Sequence, residues 1–107
     1  MLIFKLTDTK DRLCTFTAFD DDKACGACSF VNDGYTMHFE SIKCGDDTVL
    51  EGLVRSSMNF CANRGCYLSV IKEDMLAPAF RRLGFSEKEL TVEIPEALTS
   101  SACGCKH

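Results

Sequence analysis

The stretch T-V-L-E-G-L-V-R-S-S-M-N-F-C-A-N-R-G, residues 48–65, carries the clearest structural signal in this sequence of 107 residues. Its apolar and small side chains recur at intervals of three and four, which is typical of the buried face of an α-helix. Asp46 and Asp47 precede it as candidate N-caps, and Gly65 suits the left-handed conformation that commonly ends a helix. We therefore predict a helix over 48–63. Its buried face consists of Leu50, Leu53, Val54, Ser57, Met58 and Cys61.

Four extended segments are predicted before this helix. The first covers 2–6, and the polar run D-T-K-D-R that follows is interpreted as a break. In the second, 13–19, buried and exposed positions alternate as in a half-buried strand. The turns D-D-D-K and N-D-G then separate it from 24–31 and 35–43. The short connections between the last three of these segments predict that they form an antiparallel meander.

A strand, a helix and a strand are predicted after the central helix. The run C-Y-L-S-V-I, 66–71, is rich in strand-forming residues. The fourth strand, the central helix and this strand together predict a right-handed parallel crossover. A second helix over 75–83 has Asp74 as its cap and Pro78 in or near its first turn. E-L-T-V-E-I, 89–94, is the last predicted strand. We expect one domain over 1–98 and a polar, Cys-containing tail over 99–107.

The composition excludes several classes of function. There are 12 basic and 16 acidic residues, so the net charge is −4, and no basic run is present. Nucleic acid is therefore not expected as a partner, because neutralising phosphates requires clustered Lys and Arg. The apolar N-terminal run is too short for a signal sequence or a membrane span, so we expect a cytoplasmic protein without a membrane partner. In that compartment the eight cysteines are mostly small buried hydrophobes, or a few of them bind metal or do redox chemistry.

Four motifs carry a resemblance to a known family. L-V-R-S-S-M-N-F-C-A-N-R-G (53–65) and A-P-A-F-R-R-L-G-F (77–85) are similar to two helices of the GNAT acyl-CoA N-acyltransferases. Gly26 and F-E-S-I (39–42) are similar to its third and fourth strands, and the resemblance covers roughly residues 13–94. It implies an α/β (α+β) fold, in which a mixed sheet runs as an antiparallel meander followed by β-α-β-α-β, without the usual N-terminal helices. The function it implies is N-acetyl transfer from acetyl-CoA, or another acyl-CoA, to an amine acceptor.

The resemblance also implies where the coenzyme would bind. Its pantetheine arm would contact the backbone of the fourth strand, and its diphosphate would lie on amides at the start of the central helix, where an anion is favoured. The family's phosphate motif would place a basic residue at Gly45 and glycines at two further positions, and none of the three is kept. Asp46 and Asp47 lie in the loop instead, so we expect a coenzyme site that is either atypical or non-functional. The implied coenzyme-binding residues are Ser41, Ile42, Lys43, Thr48, Val49 and Leu50.

Glu40 is the implied catalytic base, because several members of the family have a base on the fourth strand. His38 lies two residues away on the same strand face, so the two side chains could instead form a structural pair. The family often has a tyrosine in the second helix as the acid, and this sequence has Phe80 there. Direct attack by an amine does not require such an acid.

The cysteines suggest a rival function. Cys25 and Cys28 are three apart in a predicted strand and should point to opposite faces, which favours packing over a shared metal. Cys103, Cys105 and His107 alternate in the tail and could bind zinc or another soft metal, with Cys44 as a conceivable fourth ligand, or form a reversible disulfide. The rival is a non-catalytic binding or redox/metal-responsive module on the same scaffold.

A sheet without its N-terminal helices should also expose an apolar face. Such faces commonly pair with another chain. We therefore expect a possible homodimer.

Overall fold

The computed structural model of the chain describes residues 1–103, and side chains through residue 99. Six strands form one sheet in the order β1-β2-β3-β4-β5-β6, which is also their order along the chain. Three helices and one short 3-10 helix (Glu73–Met75) complete the described part. The strands are β1 (Leu2–Lys10), β2 (Leu13–Asp20), β3 (Lys23–Asp33), β4 (Thr36–Lys43), β5 (Leu68–Val70) and β6 (Thr91–Glu93), and the helices are α1 (Asp47–Ala62), α2 (Pro78–Arg82) and α3 (Ile94–Cys103).

The predicted meander is present, and each of its strands pairs antiparallel with the next. The first strand is longer than predicted, because it continues through the polar residues that were interpreted as a break and ends at Lys10. Those residues lie on the outer edge of the sheet, where both faces of the strand are exposed and polar side chains carry no penalty. Each strand pair contains one irregularity in register, and the unpaired residues are Thr7, Cys25 and Glu40.

The predicted central helix is confirmed as α1, whose buried face includes every predicted residue and also Val49. Its C-terminus has the two hydrogen bonds of a Schellman motif. The Cys66 N–H donates to the Cys61 carbonyl (3.0 Å), and the Gly65 N–H donates to the Ala62 carbonyl (3.1 Å). Gly65 has φ +94°, which explains why glycine stands there.

The core lies between one face of the sheet and the helices. Phe30 and Phe39 on neighbouring strands have ring centroids 6.1 Å apart. Phe80 of α2 packs edge-on against Phe39 at 5.5 Å and against Phe85 at 5.4 Å. All four rings are fully buried. This chain of aromatic contacts holds α2 against the same sheet face that α1 covers.

The second half of the chain differs from the prediction in both strands, which are shorter at Leu68–Val70 and Thr91–Glu93, and in the two segments that follow. The helix predicted over 75–83 is divided into the 3-10 helix and α2, and its predicted cap, Asp74, lies inside the 3-10 helix. Pro78 is in the first turn of α2, as predicted. The polar tail was expected to begin at residue 99, but residue 99 lies within α3, which follows β6 directly.

The sheet face opposite the helices is more polar than expected. It carries paired hydroxyls, with 2.7 Å between Thr7 Oγ1 and Thr17 Oγ1 and 2.9 Å between Thr15 Oγ1 and Ser29 Oγ. Large apolar side chains are also exposed in β1 and β2, at Leu2, Ile3, Leu6 and Leu13. Leu13 alternates with the buried Cys14, so it lies on the same face as Thr15 and Thr17. The homodimer stays a prediction. Within residues 1–103, no helix is long and apolar enough to cross a bilayer.

Candidate functional site

The gap between β4 and β5 is the first feature of the site. The two strands pair in parallel at only three positions, of which His38 opposite Val70 is the last. β4 continues to Lys43, so the backbone of residues 39–43 has no partner strand on that side. Ser41, Ile42 and Lys43, the residues predicted to contact pantetheine, lie in this stretch. These three residues therefore lie where β4 and β5 separate.

Glu40 lies at the start of this gap. It is the extra residue of a bulge in β4, because Ser41 pairs with Ser29 and Phe39 pairs with Phe30. A bulge breaks the alternation of a strand and changes the direction of a side chain. The Glu40 side chain is exposed, between the buried Phe39 and the exposed Ser41.

Glu40 pairs with Lys72, and not with His38 as considered from the sequence. Lys72 Nζ lies 3.4 Å from Glu40 Oε1 and 3.4 Å from the Glu40 carbonyl oxygen. Lys72 follows β5 by two residues, so the ion pair reaches across the gap between the strands. No sequence pattern indicates this pair, because its members are 32 residues apart.

The start of α1 is occupied by Asp46. Its Oδ1 accepts hydrogen bonds from the Thr48 N–H at 2.8 Å and from the Val49 N–H at 3.2 Å. The Leu50 N–H donates to the Asp46 carbonyl at 2.9 Å. The three amides predicted to receive phosphates are therefore already hydrogen-bonded within the chain. The prediction of Asp46 as N-cap is confirmed.

Asp47 joins α1 to α2. Its Oδ1 accepts from the Ala79 N–H at 3.0 Å, and its Oδ2 accepts from the Arg82 guanidinium. Arg82 also donates to Glu51 at 2.7 Å. The first turns of the two helices are thus connected by a carboxylate. The sequence suggested only a capping role for Asp47.

Phe80, at the position of the family's acidic tyrosine, cannot act as a proton donor at this gap. It is fully buried between Phe39 and Phe85, and it has no proton to donate. Its contribution is to packing.

The two cysteines of the third strand differ in burial, and a packing role is found for Cys28 but not for Cys25, which is the extra residue of a bulge. Cys28 is buried, and its Sγ lies 3.2 Å from the Ser57 hydroxyl, whereas Cys25 is exposed. Burial raises the pKa of the Cys28 thiol to about 11. Cys44 is half-buried, and its thiol donates to the Asp46 carbonyl.

The proposed tail ligands are not placed together by the structure. The Cys103 backbone ends α3, and Cys105 and His107 lie outside the described residues. Among residues 1–99, whose side chains are described, no group of three His, Cys, Asp or Glu could hold a metal ion. The tail metal site stays a prediction.

A cleft that the sequence did not indicate lies beside β6 and α3. Its volume is about 820 Å³. Glu89, Glu93 and Glu96 line it together with apolar side chains, of which Leu83 is buried. Leu68 of β5 also lines it, whereas none of residues 39–43 does.

Three solved structures are similar to this architecture. One is the aminoglycoside 6'-N-acetyltransferase from Enterococcus faecium, with 13% identity, a TM-score of 0.53, and coverage of 58% of this chain and 39% of that one. A second, aminoglycoside 6'-acetyltransferase type Ii, has 14% identity, a TM-score of 0.62, and coverage of 71% and 56%. The third, a probable acetyltransferase from Staphylococcus epidermidis ATCC 12228, has 18% identity, a TM-score of 0.61, and coverage of 71% and 54%. The chain has the GNAT acetyltransferase fold.

The likeness is one of fold, at low sequence identity. This chain spans between 39% and 56% of the length of these GNAT structures. No protein-family model and no curated protein sequence matches the chain. The predicted fold class is confirmed.

Proposed function

We propose that this chain is an N-acetyltransferase-like protein whose coenzyme phosphate site is closed by its own carboxylates. In this proposal it does not bind acyl-CoA through the diphosphate. The supporting observation is the Asp46 carboxylate, which accepts the Thr48 and Val49 amides at 2.8 and 3.2 Å. A diphosphate on those amides has to displace a group that is itself an anion.

Electrostatic repulsion by the Asp46 carboxylate outweighs the attraction of the helix N-terminus for a diphosphate. Two like charges 4 Å apart repel by about 1 kcal/mol in bulk water and by about 4 kcal/mol at an effective dielectric constant of 20. A helix N-terminus attracts an exposed anion by only about 0.3–1 kcal/mol. The Asp47 carboxylate contacts Ala79 and Arg82 of α2, and Arg82 offsets its charge, so the repulsion rests mainly on Asp46. The residues at the start of α1 therefore do not fit a diphosphate.

Thermal shift with ligands of different charge tests the proposal. The wild-type chain should show no change in melting temperature with CoA at about 1 mM, since a ligand stabilises only the state it binds. Pantetheine, which has no diphosphate, is the matched ligand. Stabilisation by CoA but not by pantetheine would mean that the diphosphate is held, and the proposal would be wrong.

Two variants identify the cause. Asp46→Gly removes the carboxylate and leaves a residue that helix N-caps tolerate at a cost of only a few tenths of a kcal/mol. Asp46→Asn keeps a capping oxygen and removes the charge. If occupation of the amides excludes the diphosphate, only the glycine variant gains stabilisation by CoA. If charge alone excludes it, both variants gain.

The donor and acceptor remain proposals at the level of chemical class, a small acyl donor and a primary amine. The rival function, a binding or redox/metal-responsive module, depends on Cys103, Cys105 and His107. No observation within the described residues favours it, so it stays a prediction.

A further inference from the structure

A primary amine already lies at the gap between β4 and β5. Lys72 Nζ contacts both the carboxylate and the carbonyl oxygen of Glu40, each at 3.4 Å. Among the ion pairs of the described residues, this is the one formed by a lysine; the others involve arginines or the N-terminal amine. The amine is held beside the bulge at which β4 leaves β5.

We propose that Lys72 is an acylation site of this protein, at which a small acyl thioester or acyl phosphate transfers its acyl group to Nζ while Glu40 removes a proton. The inference goes beyond the proposed function, because it depends on the Lys72–Glu40 contact and not on the start of α1. It identifies the acceptor amine as part of the chain itself.

The reaction balances in atoms and charge. The Lys72 ammonium first loses one of its three protons to a solvent base at mildly alkaline pH, and the neutral nitrogen attacks the acyl carbon. Glu40 then takes the second proton from the positively charged nitrogen of the tetrahedral intermediate. A C–N bond forms, and the bond that breaks is the C–S bond of a thioester or the bond between the acyl carbon and the bridging oxygen of an acyl phosphate. Glu40 passes its proton through solvent to the leaving thiolate or phosphate, and the third proton stays on the amide.

Both groups are accessible to a donor from solvent. The Lys72 side chain is 56% exposed and that of Glu40 is 42% exposed. A donor that is not held by a diphosphate site can therefore reach the amine. Holding the base within contact of the amine supplies the orientation on which general-base catalysis depends.

The ion pair also has an opposing effect, and this makes the proposal testable. An ammonium cannot attack an acyl carbon, so a partner that only holds the amine in an ion pair slows the reaction. If Glu40 only stabilises the ammonium, replacing it with glutamine increases the rate of acylation at Lys72. If Glu40 removes the proton in the reaction, the same replacement lowers the rate.

The experiment measures acylation of the full chain by mass spectrometry. The chain is incubated at mildly alkaline pH with acetyl phosphate or, separately, with the acetyl thioester of N-acetylcysteamine, and each lysine is quantified by peptide mapping. Lys88 is the internal control, because it is exposed and makes none of the described ion pairs. Since a positioned base typically contributes about 10²–10⁴-fold, we expect Lys72 to react at least about tenfold faster than Lys88.

Two variants complete the test. Glu40→Gln should lower the rate at Lys72 to that at Lys88, and Lys72→Arg should abolish the modification there without changing Lys88. Equal rates at Lys72 and Lys88 in the wild-type chain would overturn the proposal, as would a Glu40→Gln rate that is unchanged or higher. Reaction with only one of the two donors supports the site and identifies its donor class.

Acetyl-CoA distinguishes this inference from the proposed function. It should acylate Lys72 no faster than the small thioester does. A much faster reaction with acetyl-CoA would contradict the proposed closed phosphate site and leave the Lys72 site standing.

Discussion

Replacing Asp47 with alanine should destabilise the protein by about 1.5 kcal/mol, and the contacts of Asp47 determine that value. The Ala79 N–H is partly buried and loses its acceptor, which costs about 1 kcal/mol at the lower end for an unsatisfied donor. The ion pair with Arg82 is about half exposed on both sides and contributes at most about 0.5 kcal/mol. Losing the interaction between the Asp47 carboxylate and the helix dipole raises the cost by about 0.5 kcal/mol. The better helix propensity of alanine lowers it by about 0.5 kcal/mol.

Asp47→Asn is the matched control, because its side-chain carbonyl oxygen still accepts the Ala79 N–H while the charge is gone. Urea denaturation of both variants measures the difference, which should be about 1 kcal/mol in favour of asparagine. Arg82→Met should cost no more than about 1 kcal/mol, since the ion pairs that it removes are all at least partly exposed. If Asp47→Asn is as damaging as Asp47→Ala, the charge holds α1 to α2, and the reasoning from the hydrogen bond is wrong.

Two further predictions concern stability. Gly65→Ala should lower the free energy of unfolding by about 1–2 kcal/mol in urea denaturation, because φ is +94° there. Gly45→Ala is the control and should be nearly neutral, because that position has open space and no positive φ. Equal losses in the two variants would contradict the conformational argument. Burial raises the pKa of the Cys28 thiol from 9.0 to about 11. Its contribution to stability is therefore complete below pH 9 and is lost as the pH rises to about 11, by roughly 3 kcal/mol in total. The alkaline loss should be smaller in Cys28→Ala, and an identical loss in both proteins would exclude Cys28 as its source.

The elements with a strong pattern were predictable from the sequence. In β2, buried Cys14, Phe16 and Ala18 alternate with half-buried residues, so the period of two was visible. In α1 the apolar stripe, the cap at Asp46 and the glycine after the helix all agreed. These signals are local, and tertiary packing reinforced them.

The elements without such a pattern were missed or shortened. β1 is an edge strand, and its second half shows no apolar alternation because neither face is buried. α3 has a weak signal in the spacing of Ile94, Ala97 and Leu98, which are buried or half-buried, but Ile94 was assigned to the preceding strand. A helix-period interpretation of those three residues would have found it.

The site was predictable only in part, for a different reason. The residues of β4 and the start of α1 were identified from the resemblance, and the acidic loop was visible in the sequence. The partners were not, because Lys72 meets Glu40 and Ala79 meets Asp47 only after the chain has folded, each across 32 residues. No local pattern encodes a contact at that separation.

The pairing of each of the first four strands with its neighbour has a consequence for synthesis. A chain emerging from the ribosome can complete the hydrogen bonds of this meander as soon as residue 43 is free, since every loop that must close is short. The apolar face of those strands, with Phe16, Phe30 and Phe39, is then still exposed to water. This face stays exposed until residues 47–62, which form α1, have also left the ribosomal exit tunnel. The nascent first half is therefore prone to aggregation for about as long as it takes to translate one helix.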